Sequence, residues 1–221
     1  ILFDITPPDN FQLDSAYAVG GNEIFGYWNA SNNSIVLETP ISITDESLVG
    51  GSFQPLISIG GGEFENFGSP IEIVEVPETG SVFLEISGNI FESMSNYADN
   101  INAIFTTKII DKAGNETQGL SDGTIIHVDE IIPTLDSIGI STNNALSSNW
   151  ATSSDNIALE WISNEGLNNV ISIIINDTTI VNADESGKVH YTQRAVNLND
   201  TEGPVTFSLF FSDSAGNQGT N

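Results

Sequence analysis

Short runs of alternating apolar and polar residues, set off by Gly, Asn, Asp and Pro, constrain this chain more than any other feature. Val205, Phe207, Leu209 and Phe211 alternate with Thr206, Ser208, Phe210 and Ser212, so one face of that stretch is apolar. A period of two is that of a strand with one face buried. Comparable runs occupy Ile35 to Ile43, Gln54 to Ile59, Ile71 to Val76, Val82 to Ile86, Ile104 to Ile110 and Thr124 to Val128. Further runs are Leu135 to Ile140, Ile157 to Ile162, Val170 to Ile175 and Val189 to Tyr191. Helical periodicity is nearly absent, and only Asn89 to Tyr97 has room for a helical turn. The pattern predicts an all-β chain of antiparallel sandwiches.

The runs are organised by an internal repeat. Tyr27 to Glu38 (Tyr-Trp-Asn-Ala-Ser-Asn-Asn-Ser-Ile-Val-Leu-Glu) aligns without a gap on Asn149 to Glu160 (Asn-Trp-Ala-Thr-Ser-Ser-Asp-Asn-Ile-Ala-Leu-Glu). Asp111-Lys112-Ala113-Gly114-Asn115 matches Asp213-Ser214-Ala215-Gly216-Asn217, and Asp4-Ile5-Thr6-Pro7-Pro8 matches Asp129-Glu130-Ile131-Ile132-Pro133. The matches keep their order, so the chain reads as two copies of one module, the first enlarged around Ser47 to Glu78. About seven strands per copy is what an immunoglobulin-like sandwich needs. The expected domains are residues 7–131 and 132–221, with residues 1–6 as the last strand of a preceding domain plus its linker. The second copy continues only four residues beyond Asn217, so it is expected to lack its own final strand. Ile1 to Ile5 is expected to serve as such a strand for a neighbouring domain, head to tail, within one polypeptide or by strand donation between chains.

Composition narrows the partners. Thirty Asp and Glu against four Lys and Arg give a net charge of −26, which leaves no basic stripe for phosphates or for an anionic membrane surface. The 39% hydrophobic content is enough for cores and too much for a disordered acidic tail. Cysteine is absent, which removes disulfides, thiolate nucleophiles and Cys-type zinc sites. Only 15% of residues are charged, below the usual quarter or so, and Asn, Ser and Thr supply most of the polarity. The balance points to an extracellular protein, in a setting salty enough to screen the acids. No run is long enough to span a bilayer, and neither a signal peptide nor a transit peptide opens the sequence, which reads as an excerpt.

A strand ending in Asp-x-Ala-Gly-Asn, a further strand and then Val-Asp-x-x-x-Pro resembles the tandem bacterial Ig-like repeats (Big-type) of large secreted or surface adhesin and stalk proteins. The resemblance implies a structural spacer of a long extracellular protein rather than an enzyme. The motif's physics agrees: a glycine with access to positive φ suits a tight connection between strands. Pro7, Pro8 and Pro133 cannot donate to a ladder and stiffen the start of each copy. Tyr97 lies where such domains place a tyrosine corner.

Catalytic signatures are missing: there is no nucleophile elbow, no zinc-binding helix and no phosphate loop opening a helix. His127 and His190 lie in strand contexts in different copies, where a structural or solvent-facing role is expected. The acids near the junction are the better candidates. The linker should meet the following copy's Asp-x-Ala-Gly-Asn turn, which brings Asp129 and Glu130 towards Asp213 and Asn217, with Glu165 nearby. The corresponding set is Asp4 and Asp9 with Asp111 and Asn115. Such oxygens suit calcium, whereas the plainer alternative is that Asp111 and Asp213 cap the turn and the linker acids are solvated. Trp28 and Trp150 are expected to plug equivalent positions. Trp161, whose counterpart is Thr39, is expected outside the shared core. An exposed aromatic cluster near it would instead favour a carbohydrate-binding accessory module of a secreted enzyme.

Overall fold

In the computed structural model the chain divides into two compact units, Ile1–Glu130 and Ile131–Asn221. Residues 3–180 and 187–220 are described. The first unit contains β1 (Ser15–Val19), β2 (Tyr27–Trp28), β3 (Ser34–Pro40), β4 (Ser52–Ile59), β5 (Glu65–Asn66), β6 (Ile71–Glu72) and β7 (Ser81–Ser87). A five-residue helix follows, α1 (Gly88–Glu92), which overlaps the stretch Asn89 to Tyr97 where the sequence leaves room for a helical turn and begins one residue before it. The unit closes with β8 (Asn102–Ile110), β9 (Glu116–Gln118) and β10 (Ile126–Val128). Among the described residues no helix is long and apolar enough to cross a membrane.

One sheet of this unit runs β1-β3-β7; the other runs β2-β10-β8-β4-β5, with β6 on β4 and β9 on β8. All pairs are antiparallel except β10 with β2, where Val128 lies opposite Trp28. Ile35 and Leu37 from one sheet and Phe53, Ile57, Phe105 and Ile109 from the other fill the core. Between the sheets Thr39 and Thr107, both fully buried, share a hydrogen bond of 3.0 Å. Within Ser47 to Glu78, where sequence places the enlargement, lies β4, a core strand that pairs with β8 from Ala103 to Ile110. The material that follows β4 forms β5 and β6, which fold back onto it.

The second unit contains β11 (Leu135–Thr142), β12 (Asn156–Leu167), β13 (Asn169–Ile175), β14 (Thr178–Ile180), β15 (Gly187–Ala195), β16 (Phe207–Ser212) and β17 (Gln218–Thr220). Its sheets run β11-β12-β15 and β14-β13-β16-β17. A strand after the Asp-x-Ala-Gly-Asn turn, expected to be missing, is present: β17 pairs with β16 from Ser212 to Phe210. At Ile1 to Ile5, expected to be a strand, Ile1 and Leu2 lie outside the described residues and Phe3 to Ile5 are unpaired.

Trp161 corrects another expectation. It is 1% exposed and belongs to the core with Ile157, Leu159, Leu209 and Phe211. Position 161 continues the inward-facing alternation of Ile157 and Leu159, as Thr39 continues that of Ile35 and Leu37, so both are interior sites.

The segment leading into each unit lies against the strand that follows that unit's Asp-x-Ala-Gly-Asn turn, β9 in the first and β17 in the second. The Thr117 hydroxyl donates to the Pro8 carbonyl at 2.6 Å. At the matching place in the second unit, a Cβ on Gly219 would collide with the Phe211 ring and the Pro133 carbonyl, so only glycine lets the chains approach.

The register of the long strand before each Asp-x-Ala-Gly-Asn turn follows the alternation: Phe105, Thr107 and Ile109 face inward in one unit, Leu209 and Phe211 in the other. A slip by one residue would turn the whole set outward. Phe211→Ala, which empties a core position, is expected to cost about 3–5 kcal/mol. Phe210→Ala, on the other face and 42% exposed, is expected to cost under about 1 kcal/mol. Denaturant unfolding followed by circular dichroism measures both.

Candidate functional site

The repeated Asp-x-Ala-Gly-Asn segment forms the same carboxylate-centred turn in both units. In the first, Asp111 Oδ1 accepts the amides of Ala113 and Asn115, both at 2.8 Å, and Oδ2 accepts the Asn115 side-chain amide at 2.8 Å. The Asp111 amide donates to the Asn115 carbonyl at 2.9 Å, and Gly114 takes φ +94° to close the loop. In the second unit Asp213 Oδ1 accepts the Asn217 amide and Oδ2 its side-chain amide, each at 2.9 Å, with Gly216 at φ +90°. Asp111 and Asp213 are both 3% exposed. Burial opposes ionisation of Asp111, but hydrogen bonds from Asn115, Ala113 and Gly114 outweigh it and hold its carboxyl below the ordinary value.

Each aspartate therefore caps its turn, and the fit of the expected calcium ligands differs between units. In the first unit Asp4 Oδ1 accepts the Thr6 amide at 3.0 Å, while Asn115 reaches only the Asp4 main-chain carbonyl, at 3.4 Å. Asp9 is exposed, and Asp4, Asp9 and Asp111 do not converge on a common point. In the second unit the Glu165 and Asp213 carboxylates come within 4.8 Å of each other, with Asn217 buried beside them. Two hard carboxylates are the right donors for Ca²⁺, although a full shell takes about six to eight oxygens.

The linker acids have partners within the first unit. The Tyr97 hydroxyl donates to Glu130 Oε2 at 2.6 Å, and the Glu130 amide donates to Asp99 Oδ1 at 2.9 Å. Burial and the adjacent Glu130 carboxylate push the Tyr97 phenol above its ordinary value. Tyr97 thus ties the end of the first unit through a carboxylate 33 residues on, whereas a tyrosine corner bonds to backbone a few residues upstream. The Asp129 amide donates to the Trp28 carbonyl at 2.9 Å.

The aromatic candidates separate by burial. Trp28 is fully buried, edge-on to Phe91 with centroids 5.3 Å apart. Trp150, its sequence equivalent, is 76% exposed, so the expectation of a plug fails in the second unit. There β10 has no counterpart among the described residues to cover the indole. His127 meets Asn102 Oδ1 at 2.9 Å and Tyr27 edge-on. His190 is buried and stacks on Trp161, centroids 5.3 Å apart and planes 11° from parallel. On the outer face of β11-β12-β15, Ser137, Gly139, Glu160, Ile162, Val189 and Tyr191 line a trough of about 450 Å³.

Sequence reasoning missed Arg194, the single arginine of a strongly acidic chain. It is buried on the inner face of β15 beside His190 and Thr192 and reaches Asp200 through Nη2, at 2.6 Å and 2.7 Å. Hydrogen bonds from the Asn197 amide and from Arg194 hold the Asp200 carboxyl below its ordinary value. Its rarity was the available signal.

Asp111→Asn, which keeps one acceptor oxygen and loses the other, is expected to destabilise the first unit by about 1–2 kcal/mol at neutral pH. Because the folded-state value of Asp111 is depressed, its contribution is full above the unfolded value of about 3.9 and is lost as pH falls through the folded value. Unfolding curves collected down the acid range should therefore fall more steeply for the parent chain than for the variant.

No protein-family model matches this sequence, and no curated protein matches it at a significant level.

Proposed function

We propose that the chain is a structural spacer segment of a long extracellular bacterial surface or filament protein, related to the tandem Ig-like repeats, which supports adhesion or fibre formation. The observation that carries this reading is the duplicated strand-end device. Each unit has a buried Asp–Asn turn, with the proline-bearing leading segment seated on the strand that follows it. Such a device resists peeling of the last strand, where a pulling force would act. Units of this kind follow one another head to tail, with residues 1–5 as a final strand for a neighbouring domain, covalently along one polypeptide in the reading favoured here. Calcium belongs to the same proposal: the Glu165 and Asp213 pair takes the cation, with the linker acids as the further ligands expected from sequence.

Stretching the single chain between handles at its two ends tests the mechanical reading. Two discrete unfolding steps are expected, with lengths released in proportion to Ile1–Glu130 and Ile131–Asn221. Smooth extension without steps overturns it. For calcium, titration calorimetry should register binding that Glu165→Gln removes while leaving the Asp213 turn intact, together with a calcium-dependent rise in melting temperature by mass action.

The second reading, a carbohydrate-binding module, is favoured by one observation. Tyr191, 44% exposed, borders the outer trough directly opposite Glu160 in the strand register, offering a ring face beside an acceptor. Retention on a glycan array that Tyr191→Ala abolishes would establish it over the spacer.

A further inference from the structure

Both units carry one arrangement on the outer face of their three-stranded sheet. In the first, Ser15, Glu38 and Phe83 lie side by side across β1, β3 and β7. In the second, Gly139, Glu160 and Tyr191 lie side by side across β11, β12 and β15. The ungapped match of Tyr27–Glu38 to Asn149–Glu160 makes Glu38 and Glu160 equivalent. Each row therefore reads small residue, glutamate, aromatic. Neither ring belongs to a core, since Phe83 is 61% exposed and Tyr191 44%. Directly opposed residues on paired antiparallel strands hold their Cβ atoms about 5 Å apart. An exposed ring thus stands next to a carboxylate in both units.

The cations of the chain are engaged away from these rows. Lys108 pairs with Glu116, Arg194 with Asp200, and Lys188 Nζ donates to the Asn164 carbonyl. The Ser15 hydroxyl donates to Glu38 Oε2 at 3.0 Å and so orients that carboxylate. The Tyr191 hydroxyl turns along its own strand and donates to Gln193 Oε1 at 2.9 Å, which leaves its ring beside Glu160. Gly139 sits inside β11 with nothing within 4 Å of where a Cβ would lie. No close approach within the fold calls for glycine there. A glycine inside a strand often marks the approach of a ligand, and this one opens the trough at Glu160.

We propose that each row is a subsite for an arginine side chain of a basic partner protein, its guanidinium stacked on the ring and forked onto the glutamate. A ring and a carboxylate one strand apart suit a planar cation that stacks and donates two parallel hydrogen bonds at once, which guanidinium does and ammonium does not. At −26 the chain attracts cationic proteins and repels its own copies. Its single arginine is buried, so the partner is a different, basic protein. In the second unit Ile162 and Val189, 41% and 68% exposed, offer apolar contact to residues that flank the arginine. Phe83 has no hydroxyl, so the chemistry common to both rows is a ring face and a carboxylate. The inference goes beyond the spacer reading and does not rest on it.

Heteronuclear NMR titration of the 221-residue chain with a blocked leucine-arginine-leucine peptide tests the subsites. Shifts are expected in two separate groups of amides, one around Glu38 and Phe83 and one around Glu160 and Tyr191, and binding should weaken as salt is added. The same peptide with citrulline, which keeps the shape and loses the charge, should bind at least roughly tenfold more weakly. Tyr191→Ala and Glu160→Gln should each weaken the second group roughly tenfold and leave the first in place; Phe83→Ala and Glu38→Gln should do the converse. Gly139→Val puts a strand-favouring residue into open space, so it should close the second subsite without lowering the melting temperature. Phe210→Ala, on the other sheet, should change nothing. Equal binding of the citrulline peptide overturns the proposal. So does binding that survives all four row substitutions together, because net charge alone then holds the peptide. Shifts at Tyr191 with neutral disaccharides and none with the arginine peptide also overturn it, in favour of sugar binding. None of these outcomes alters the stepwise unfolding of a stretched chain, so the subsites and the spacer reading fail separately.

Discussion

A buried carboxylate just past the end of β8 in one unit and of β16 in the other organises what surrounds it. Asp111 and Asp213 stand where the chain must reverse and return as β9 and β17, and both oxygens of each accept hydrogen bonds from the residues that make the reversal. Charge-assisted bonds of this kind are stronger than neutral ones, and inside a protein their geometry is held by packing. With the turn closed, β9 and β17 lie in register on β8 and β16. The segments around Pro8 and Pro133 then find a surface to rest on. Local turn chemistry, strand pairing and the stiff start of each unit are consequences of one side chain.

The acidic excess is distributed in keeping with that arrangement. Carboxylates that matter to the fold are committed to amides, to the Tyr97 hydroxyl or to Arg194. Most of the others stand in water, where their mutual repulsion is moderated by salt. Glu165 stands close to the committed Asp213 without taking part in its turn, so a change at Glu165 can leave that turn's hydrogen bonds in place.

The strands were readable because alternation records burial directly. Phe105, Ile109, Leu209 and Phe211 face inward as their spacing requires, and the helical turn overlaps Asn89 to Tyr97, starting one residue earlier. The short strands β2, β5 and β14 carry too few positions for a period to register. Trp161 was misplaced because comparison with a polar counterpart, Thr39, was allowed to outweigh its own alternation. Trp150 was misplaced because the burial of an indole is decided by distant segments: Trp28 is covered by β10, remote in sequence, and no local pattern records such a contact. The bond from Tyr97 to Glu130 spans 33 positions and leaves no local trace.

The hydrogen bond between Thr39 and Thr107 has a counterpart of different chemistry, since the equivalent positions in the second unit are Trp161 and Leu209, both in its core. Adjacent repeats that share a sequence risk exchanging strands while they fold. Here an exchange of β3 with β12 would drive an indole into the space of two hydroxyls, and would leave a threonine without its partner beside a void. Overpacking and an orphaned buried hydroxyl each carry a penalty of about 1–3 kcal/mol. The divergence of a single facing pair thus acts as an identity tag, which keeps each copy's strands from completing the wrong sandwich.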